Sequence, residues 1–493
     1  MRGDRNTDRS ITTTAATAAT AAGQPTTPGQ RWVLGLASVG SAMVALDALV
    51  VAAALTTIRG DFHASIQQLD WTVTAYTLSF AMLMMSAAVI GDRWGRRRIY
   101  AAGLALFTVA STACALAPSV PFLIAARAVQ GVGAAVVMPL AIGLLAAAFP
   151  AERRGWAIGV FSGLTGLAVL GGPTLGGAVT QGLDWRWIFW INVPVGALTI
   201  PLVLSRIPES RGAGRRVDVR GAALISLAVL ALVWGVVRAG AIGWTGPETS
   251  VSFILGAVLL GMFVAWERRA PQPMVPLAFF RSRTFSAANT AGFFLTAALF
   301  GAVFFMAQFM QSVLGSDPLK AGLQLLPWTA TLFLVAPLSG RLVDRIGERP
   351  LVVTGLALQA VGMYWISRVG SGSASYPDLV VPLVVAGCGV SMAMPATQSA
   401  GVGALPREAV GMASGLYGMT RQLGGAVGVA VLSTAFTGAG GYGSFARGFG
   451  RAMAVCALFS LLGALAGLAI TLRRKAPAPP APVAEREPAE EMG

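Results

Sequence analysis

Fourteen apolar runs between two polar tails constrain this chain more than any other feature of its sequence. Each run is about 20 residues long, the length of helix that crosses a hydrocarbon core of roughly 30 Å. Backbone groups in lipid must be hydrogen-bonded internally, so every run is predicted to be a helix, and none alternates in polarity as a barrel strand does. The runs cover approximately residues 32–56, 71–90, 99–118, 121–147, 156–181, 187–205, 219–238, 250–266, 286–313, 321–340, 351–368, 379–403, 412–435 and 450–472.

The composition agrees with a chain that lies in a membrane. Apolar residues make up 55% of it and charged residues only 12%, against about 25% in a soluble domain, and the mean hydropathy is +0.68. The net charge of +15 comes mainly from arginines in short clusters between the runs, which indicates topology rather than nucleic-acid binding. We therefore expect the lipid bilayer as a partner and no nucleic acid.

The basic residues also predict the orientation of the helices. With the N-terminus in the cytoplasm, 27 of the 36 basic residues fall on the inner side and seven on the outer side, as the positive-inside rule requires. The other two, Arg127 and Arg421, lie within the runs. We expect a multi-pass protein of the cell membrane, which in a bacterium is the inner membrane, with both termini in the cytoplasm.

The sequence contains no set of residues typical of an enzyme. The three cysteines lie singly in apolar runs and His63 is the only histidine, which leaves no group of metal ligands. No Ser/His/Asp set, no pair of acids within the runs and no phosphate-binding loop for ATP is present. We expect no enzyme activity, no metal and no cofactor.

The chain repeats itself at a nearly constant offset. GDRWGRRR at 91–98 is echoed by GRLVDRIGERP at 340–350, which places Asp92 and Asp344 252 residues apart. GVGAAVVMP at 131–139 returns as GCGVSMAMP at 387–395, 256 residues later. Parallel repeats of this kind are found in secondary transporters. The offsets predict two homologous six-helix units with two further helices between them.

These patterns divide the chain into five regions. The two ends are rich in small and polar residues or in proline, and such segments are typically disordered. The expected regions are a disordered cytoplasmic tail at 1–30, an N-terminal six-helix bundle at 31–206, two inserted helices with flanking loops at 207–284, a C-terminal six-helix bundle at 285–472 and a second disordered cytoplasmic tail at 473–493.

Four short motifs lie in the predicted helices and their inner loops. They comprise Asp92, Arg93, Gly95, Arg96 and Arg97 with the second copy Asp344 and Arg345; Arg127, Gln130, Gly131, Gly133 and Pro139; Gly172, Pro173, Gly176 and Gly177; and Leu46, Asp47, Ala54 and Leu55. Together they resemble the major facilitator superfamily, specifically its fourteen-span drug:proton antiporter branch. The sequence departs from the branch at Ala52, where Asn is usual, and at Thr56, where Pro is usual.

The resemblance implies both a fold and a function. The fold is an all-α polytopic membrane protein with two pseudo-symmetric six-helix bundles and two inserted helices, 14 transmembrane helices in total. The function is proton-coupled multidrug efflux by alternating access, with small molecules and protons as ligands and a monomer as the working unit. The loop residues at 92–97 and 344–345 would stabilise the outward-facing state, and Gly172, Pro173, Gly176 and Gly177 would form a hinge or seal.

Asp47 is the only acidic residue inside any predicted span. A carboxylate at this depth costs at least about 2.5 kcal/mol, so it must face a cavity or a partner. It could take up a proton at one face and release it at the other, attract a cationic substrate, or form only an inter-helix hydrogen bond. Arg127 lies at a similar depth. It would pair with Asp47 if their helices adjoin, or else bind only backbone carbonyls.

Several polar and aromatic side chains in the spans are candidates for the lining of a central path. Arg421 could bind an anionic group of a substrate or counter a carboxylate, and an aromatic lining would suit bulky amphipathic molecules. The candidate substrate-binding residues are Asp47, Tyr76, Gln130, Asn289, Gln308, Trp328, Gln398, Tyr417 and Arg421.

Other functions stay open from the sequence. Within transport, they are export of one specific metabolite, antibiotic or lipid, and an uptake carrier. A different class is a membrane scaffold that transports nothing, and a membrane enzyme would turn over its substrate without a gradient.

Overall fold

The structure is a computed structural model that describes residues 26–64, 66–212, 218–271, 273, 275–370, 375–406 and 409–471. Within these ranges the chain is helical and no strand occurs. The long helices are Pro28–Phe62 (α1), Ile66–Trp94 (α2), Arg96–Ala115 (α3), Val120–Ala148 (α4), Ala151–Gly182 (α5), Asn192–Arg206 (α6), Val219–Ile242 (α7), Pro247–Glu267 (α8), Arg283–Ser312 (α9), Leu326–Ile346 (α10), Glu348–Val369 (α11), Tyr376–Gly403 (α12), Val410–Gly438 (α13) and Phe445–Gly467 (α14). Short helical segments lie at Trp187–Trp190, Leu277–Arg281, Pro318–Gln324 and Gly441–Ser444.

Each of these fourteen helices coincides with one of the apolar runs. Twelve of them are long and apolar enough to cross a membrane. Helices α5 and α13 are not among the twelve candidates found in the described part of the chain. The structure therefore establishes an all-helical polytopic architecture with twelve candidate spans.

The first helix begins earlier than the sequence predicts. Residues 28–30 were assigned to the N-terminal tail, but they form the first turn of α1. Thr27 and Gln30 form a capping box, in which the Thr27 hydroxyl accepts from the Gln30 N–H and the Gln30 side chain accepts from the Thr27 N–H. This pair satisfies two backbone donors at the helix start. The predicted tails otherwise lie almost entirely outside the described residues.

Four apolar clusters occur among the described helices, and the two largest lie mainly one in each group of helices. The first includes Tyr100, Leu104, Phe107 and Leu140 and contains side chains from all six helices from α1 through α6. The second joins α9 to α14, where the rings of Phe309 and Phe449 stack with centroids 4.2 Å apart. The helices before and after the α7–α8 pair thus pack mainly among themselves.

The helix pair α7–α8 lies against both of these groups. Val229 and Val233 of α7 share an apolar cluster with Met85 of α2 and Leu416 of α13. Helix α8 packs on α7 and exposes large apolar side chains such as Ile254 (64% exposed). Such side chains are compatible with lipid contact. Helix α7 therefore bridges the two groups, and α8 lies outside it.

Small residues bring α5 and α10 into close contact across the groups. Gly155, Gly159 and Gly163 follow one another at four-residue spacing, so they lie on one face of α5. A methyl group added to Gly159 would lie 2.7 Å from the Ala336 carbonyl oxygen, and one on Gly163 would lie 2.9 Å from that of Leu332. Backbones approach this closely only where side chains are small.

Candidate functional site

A fully buried ion pair lies in the group formed by α1 to α6. Arg127 Nη1 in α4 is 2.6 Å from Asp47 Oδ2 in α1, and neither side chain is exposed to solvent. The contact predicted from the similar depths of the two residues is therefore present. An arginine carries its charge at every accessible pH, so the pair keeps a buried carboxylate neutralised.

Three neutral side chains complete the polar cluster around the pair. Asp47 Oδ1 accepts from Gln130 Nε2 at 2.9 Å and from Asn192 Nδ2 at 3.0 Å. Gln130 also accepts from Arg127 Nη1 at 2.6 Å and donates to Ser111 Oγ at 2.7 Å. Both carboxylate oxygens of Asp47 are thus hydrogen-bonded, as an ionised carboxylate requires when it is buried.

Arg127 is held from its other side by α2. Its guanidinium carbon lies 4.1 Å from the centre of the Tyr76 ring, a cation–π contact, and its Nε donates to the Thr72 carbonyl at 3.3 Å. The Tyr76 hydroxyl donates to the Val44 carbonyl of α1 at 3.3 Å. Arg127 Nη2 is buried and has no hydrogen-bond partner among the described residues. Arg127 Nη2 is therefore available to donate a hydrogen bond when its surroundings change.

The sequence analysis missed two members of this cluster, Asn192 and Ser111. Asn192 is the only Asn in the run 187–205, and a lone amide in an apolar helix was a usable signal because a buried amide needs a partner. Ser111 gave no such signal, since serine often bonds to its own helix backbone.

Of the other predicted substrate residues, Gln398 lies where the two groups of helices meet. Its Oε1 accepts from Ser162 Oγ of α5 at 2.8 Å. Its Nε2 is buried without a partner in the described part of the chain. The Gln398 amide therefore connects α12 to α5 through its oxygen, while its nitrogen has no hydrogen-bond acceptor among the described residues.

Tyr417 and Arg421 lie one helical turn apart on α13. Arg421 Cζ lies 5.8 Å from the centre of the Tyr417 ring, and the Tyr417 hydroxyl donates to Thr397 Oγ1 at 2.8 Å. Arg421 Nε is buried and has no partner within the described ranges. Among the described residues Arg421 forms no ion pair with Asp47, because the carboxylate of Asp47 is paired with Arg127.

The remaining three candidates lie apart from the polar cluster. Trp328 is fully buried, with no described partner for its indole N–H. Asn289 is buried and donates to the Phe285 carbonyl of its own helix at 2.8 Å. Gln308 is half-buried and lies 3.5 Å from the Phe304 carbonyl.

Asp344 lies at the start of α5. Its two carboxylate oxygens accept from the backbone N–H groups of Gly155 and Trp156, each at 3.0 Å. Gly155 and Trp156 are the fifth and sixth residues of α5, so the carboxylate lies near the positive end of the helix dipole, which stabilises it. This contact joins the second group of helices to the first, with α10 on one side and α5 on the other.

Asp92 occupies the corresponding place in the first group. It accepts from Arg96 Nε at 2.7 Å, and its carboxylate lies against Gly411 in the first turn of α13. We call the contacts of Asp92 with Gly411 and of Asp344 with Gly155 the inner contacts. Both pair an acid in the last turn of one helix with a glycine near the start of a helix in the other group.

The start of α3 binds the end of α6 and the segment that follows it. Gly95 has a φ of +109°, which favours glycine. Arg97 donates to the carbonyls of Leu204 and Ile207 at 3.3 and 3.2 Å, and Glu209 accepts from the Arg97 N–H at 3.0 Å. Arg93 and Arg345 are exposed.

The predicted hinge or seal residues lie within the continuous helix α5. Gly172, Gly176 and Gly177 are buried. The backbone is helical through Pro173, whose side chain lies outside the description.

Comparisons with known proteins agree with this architecture. The sequence model of the Major Facilitator Superfamily matches residues 37–325 and 288–491. The multidrug resistance protein Stp of Mycobacterium tuberculosis is 38% identical over 398 residues, which cover 80% of this chain and 74% of that protein. The tetracenomycin C resistance and export protein of Streptomyces glaucescens is 36% identical over 408 residues, which cover 82% and 76%.

Solved structures resemble the chain in fold. The proton:xylose symporter XylE superposes with a TM-score of 0.66 at 15% identity and covers 90% of this chain and 95% of its own. The human organic anion transporter MFSD10 gives a TM-score of 0.63 at 16% identity, with 90% and 100% covered. From the matches of sequence and fold together, the chain belongs to the major facilitator superfamily.

Proposed function

We propose that this chain is a proton-coupled exporter of amphipathic or cationic small molecules that works by alternating access. The observation that carries the proposal is the buried pair of Asp47 and Arg127. An intramembrane acid is costly and usually functional. Two relatives that this chain resembles over most of its length are named for multidrug resistance and for antibiotic resistance and export.

Proton coupling follows from what happens when the pair separates. Removing the partner of a buried charge costs about 3–5 kcal/mol, so a movement that draws Arg127 from Asp47 is favourable only if Asp47 takes up a proton. In this conformation Asp47 is fully buried, so proton exchange requires a different one. Protonation and helix movement would thereby be linked. A proton that moves inward gains about 2.3 kcal/mol per 100 mV, which drives the export step.

The inner contacts assign this conformation to one end of the cycle. Asp344 accepts hydrogen bonds from α5 and Asp92 lies against the start of α13, and both immediately precede Arg-containing loops that the positive-inside rule assigns to the cytoplasm. We infer that the cytoplasmic side is closed here and that both contacts break when the protein turns inward. Gly172, Pro173, Gly176 and Gly177 would allow α5 to move against its neighbours.

The topology that we propose has fourteen spans, with α7 and α8 inserted between bundles at 31–206 and 285–472 and with both tails in the cytoplasm. Cysteines placed by Ile242→Cys and Lys475→Cys, in a background without Cys114, Cys388 and Cys456, should react with an impermeant reagent from opposite sides of the membrane. Labelling from the same side would contradict the span count.

A second candidate is export of one specific antibiotic or metabolite. It is favoured by the relatives named for tetracenomycin C and for methylenomycin A, the latter 32% identical over 396 residues. A broad exporter and a narrow one differ in the range of compounds they remove, not in the coupling pair.

The experiment is a drug-susceptibility panel in an efflux-deficient host, with and without a protonophore. We expect raised resistance to several amphipathic compounds, which the protonophore abolishes. Resistance to a single compound would select the second candidate. Purified protein that moves no compound in vesicles with a pH gradient would exclude transport and favour a scaffold.

A further inference from the structure

A basic cavity lies apart from the buried pair, at the ends of α9, α11 and α14. Its volume is about 620 Å³. Arg349 in its wall follows Asp344 by five residues, so the cavity opens on the same side of the protein as the inner contacts. Neither the transport cycle nor the family motifs account for it.

Three arginines give the cavity its charge. Arg281 and Arg283 flank the start of α9, and Arg349 lies in the first turn of α11. Arg281 and Arg283 are exposed and Arg349 is half-buried. The lining contains no acidic residue, and none of the three arginines forms an ion pair within the described part of the chain.

The backbone adds to this positive charge. Helices α9 and α11 both begin at the cavity, and the first-turn N–H groups of a helix favour anions. Thr290 follows Arg283 at helical spacing on the same face of α9 and supplies a hydroxyl group, whereas the Ser286 hydroxyl donates to the Phe280 carbonyl at 2.8 Å. Two helix starts, three arginines and the Thr290 hydroxyl suit a phosphate group.

Part of the cavity wall is apolar. Ala287 of α9 and Ala466 of α14 line it, together with Leu468 and Ile470. A soluble anion gains nothing from such a wall, whereas the glycerol and first methylenes of a lipid bury apolar surface there. Basic cavities between membrane helices on the cytoplasmic side are suited to anionic headgroups.

We propose that this cavity binds the headgroup of an anionic phospholipid, with the phosphate at Arg281, Arg283 and Arg349 and the upper part of the acyl chains against α14. The site is independent of drug export, so it stands or falls separately from the proposed function. Its location on the inner side rests on the proposed orientation.

The test measures lipid binding to purified full-length protein, with phosphatidylglycerol and phosphatidylcholine as probes in native mass spectrometry. We expect the doubly substituted R281Q/R283Q protein to bind phosphatidylglycerol at least about tenfold more weakly than the original protein. The matched control is R268Q/R269Q, which removes the same charge from two exposed arginines at the end of α8. It should change binding by less than about twofold. Equal unfolding temperatures without lipid would establish that both variants are folded.

Three results would overturn the proposal. If both variants lose phosphatidylglycerol equally, the attraction is general charge and not a site. If glycerol phosphate binds as tightly as phosphatidylglycerol, the ligand is a soluble phosphate ester. If phosphatidylglycerol binds only after Glu485, Glu487, Glu490 and Glu491 are changed to Gln, the acidic tail of the chain is the occupant.

Discussion

Helices α4 and α12 are repeats of each other, yet among their described residues only α4 carries a buried charge. The offset of 256 residues that aligns 131–139 with 387–395 places Leu383 opposite Arg127 and Ala386 opposite Gln130. All four side chains are fully buried. These two equivalent positions therefore hold Arg127, which is ion-paired, and Gln130 in one half of the protein. In the other half they hold the aliphatic residues Leu383 and Ala386.

This difference teaches that the polar cluster is not needed to build the fold. Replacing a buried ion pair by well-packed apolar residues is often neutral or stabilising by about 1–4 kcal/mol. The second half uses that solution. The inner contacts, by contrast, occur in both halves, with Asp92 and Asp344 at equivalent places. We infer that closure of the inner side is shared between the halves and that proton coupling belongs to the first.

The largest effect is expected from Asp47→Asn. The amide keeps the shape of the side chain but cannot take up and release a proton, so drug efflux from energised vesicles should fall to the level of empty vesicles. The control is Asp61→Asn, which removes an exposed acid from the same helix. Full efflux by Asp47→Asn would remove this residue from the mechanism.

Leucine substitutions at Asp47 and Arg127 would make the first half apolar at this position, as the second half already is. Arg127→Leu alone leaves a buried acid without its partner and should lower the free energy of unfolding by about 3 kcal/mol. The double variant Asp47→Leu with Arg127→Leu removes both charges, so it should unfold at a higher temperature than Arg127→Leu and transport nothing against a gradient. A double variant less stable than the single one would mean that the pair stabilises the fold.

A smaller effect is expected at the inner contacts, where the halves should behave alike. A methyl group added by Gly155→Ala or Gly411→Ala would clash with the carboxylate of Asp344 or Asp92. Each should reduce efflux several-fold, and to a similar extent. Gly171→Ala is the matched control in α5, because a methyl group there meets nothing within 4 Å. If only one of these two variants loses efflux, the two inner contacts contribute unequally to closure.

The smallest effect concerns Asp61 at the C-terminal end of α1. Hydrogen bonds from Trp185 at 2.9 Å and Arg186 at 3.0 Å lower the pKa of this carboxyl group below its ordinary value of 3.8. Because the pKa is lower in the folded protein, the carboxylate stabilises the fold above pH 3.8, and this contribution is lost as the pH falls through the folded value. At pH 7 Asp61→Asn should cost less than about 1 kcal/mol, since the group is exposed.

The measurement is the unfolding temperature of both proteins across pH. The difference between the original protein and Asp61→Asn should shrink as the medium is acidified. A difference that stays constant into acid would assign the effect to packing of Trp185 instead of charge.

Much of the fold was predictable because a membrane restricts what a chain can do. Apolar runs of spanning length must become helices, and the repeats at Asp92 and Asp344 predicted two related units. The start of α1 was misplaced by three residues, because a capping box at Thr27 acts on local hydrogen bonds that hydropathy does not register. The pairing of Asp47 with Arg127 was predicted from their similar depths together with the adjacent helices that the family resemblance implies, but the cluster around them was not.

The sequence by itself determined that this chain is a bundle of membrane helices built from two repeats, because helix length, charge distribution and motif offset are properties of the chain order. Only the tertiary structure decided which polar side chains meet. Asn192 and Asp47 lie 145 residues apart, and their contact depends on how α1 and α6 are rotated about their axes. That rotation is set by the packing of many apolar side chains together, which no local pattern contains.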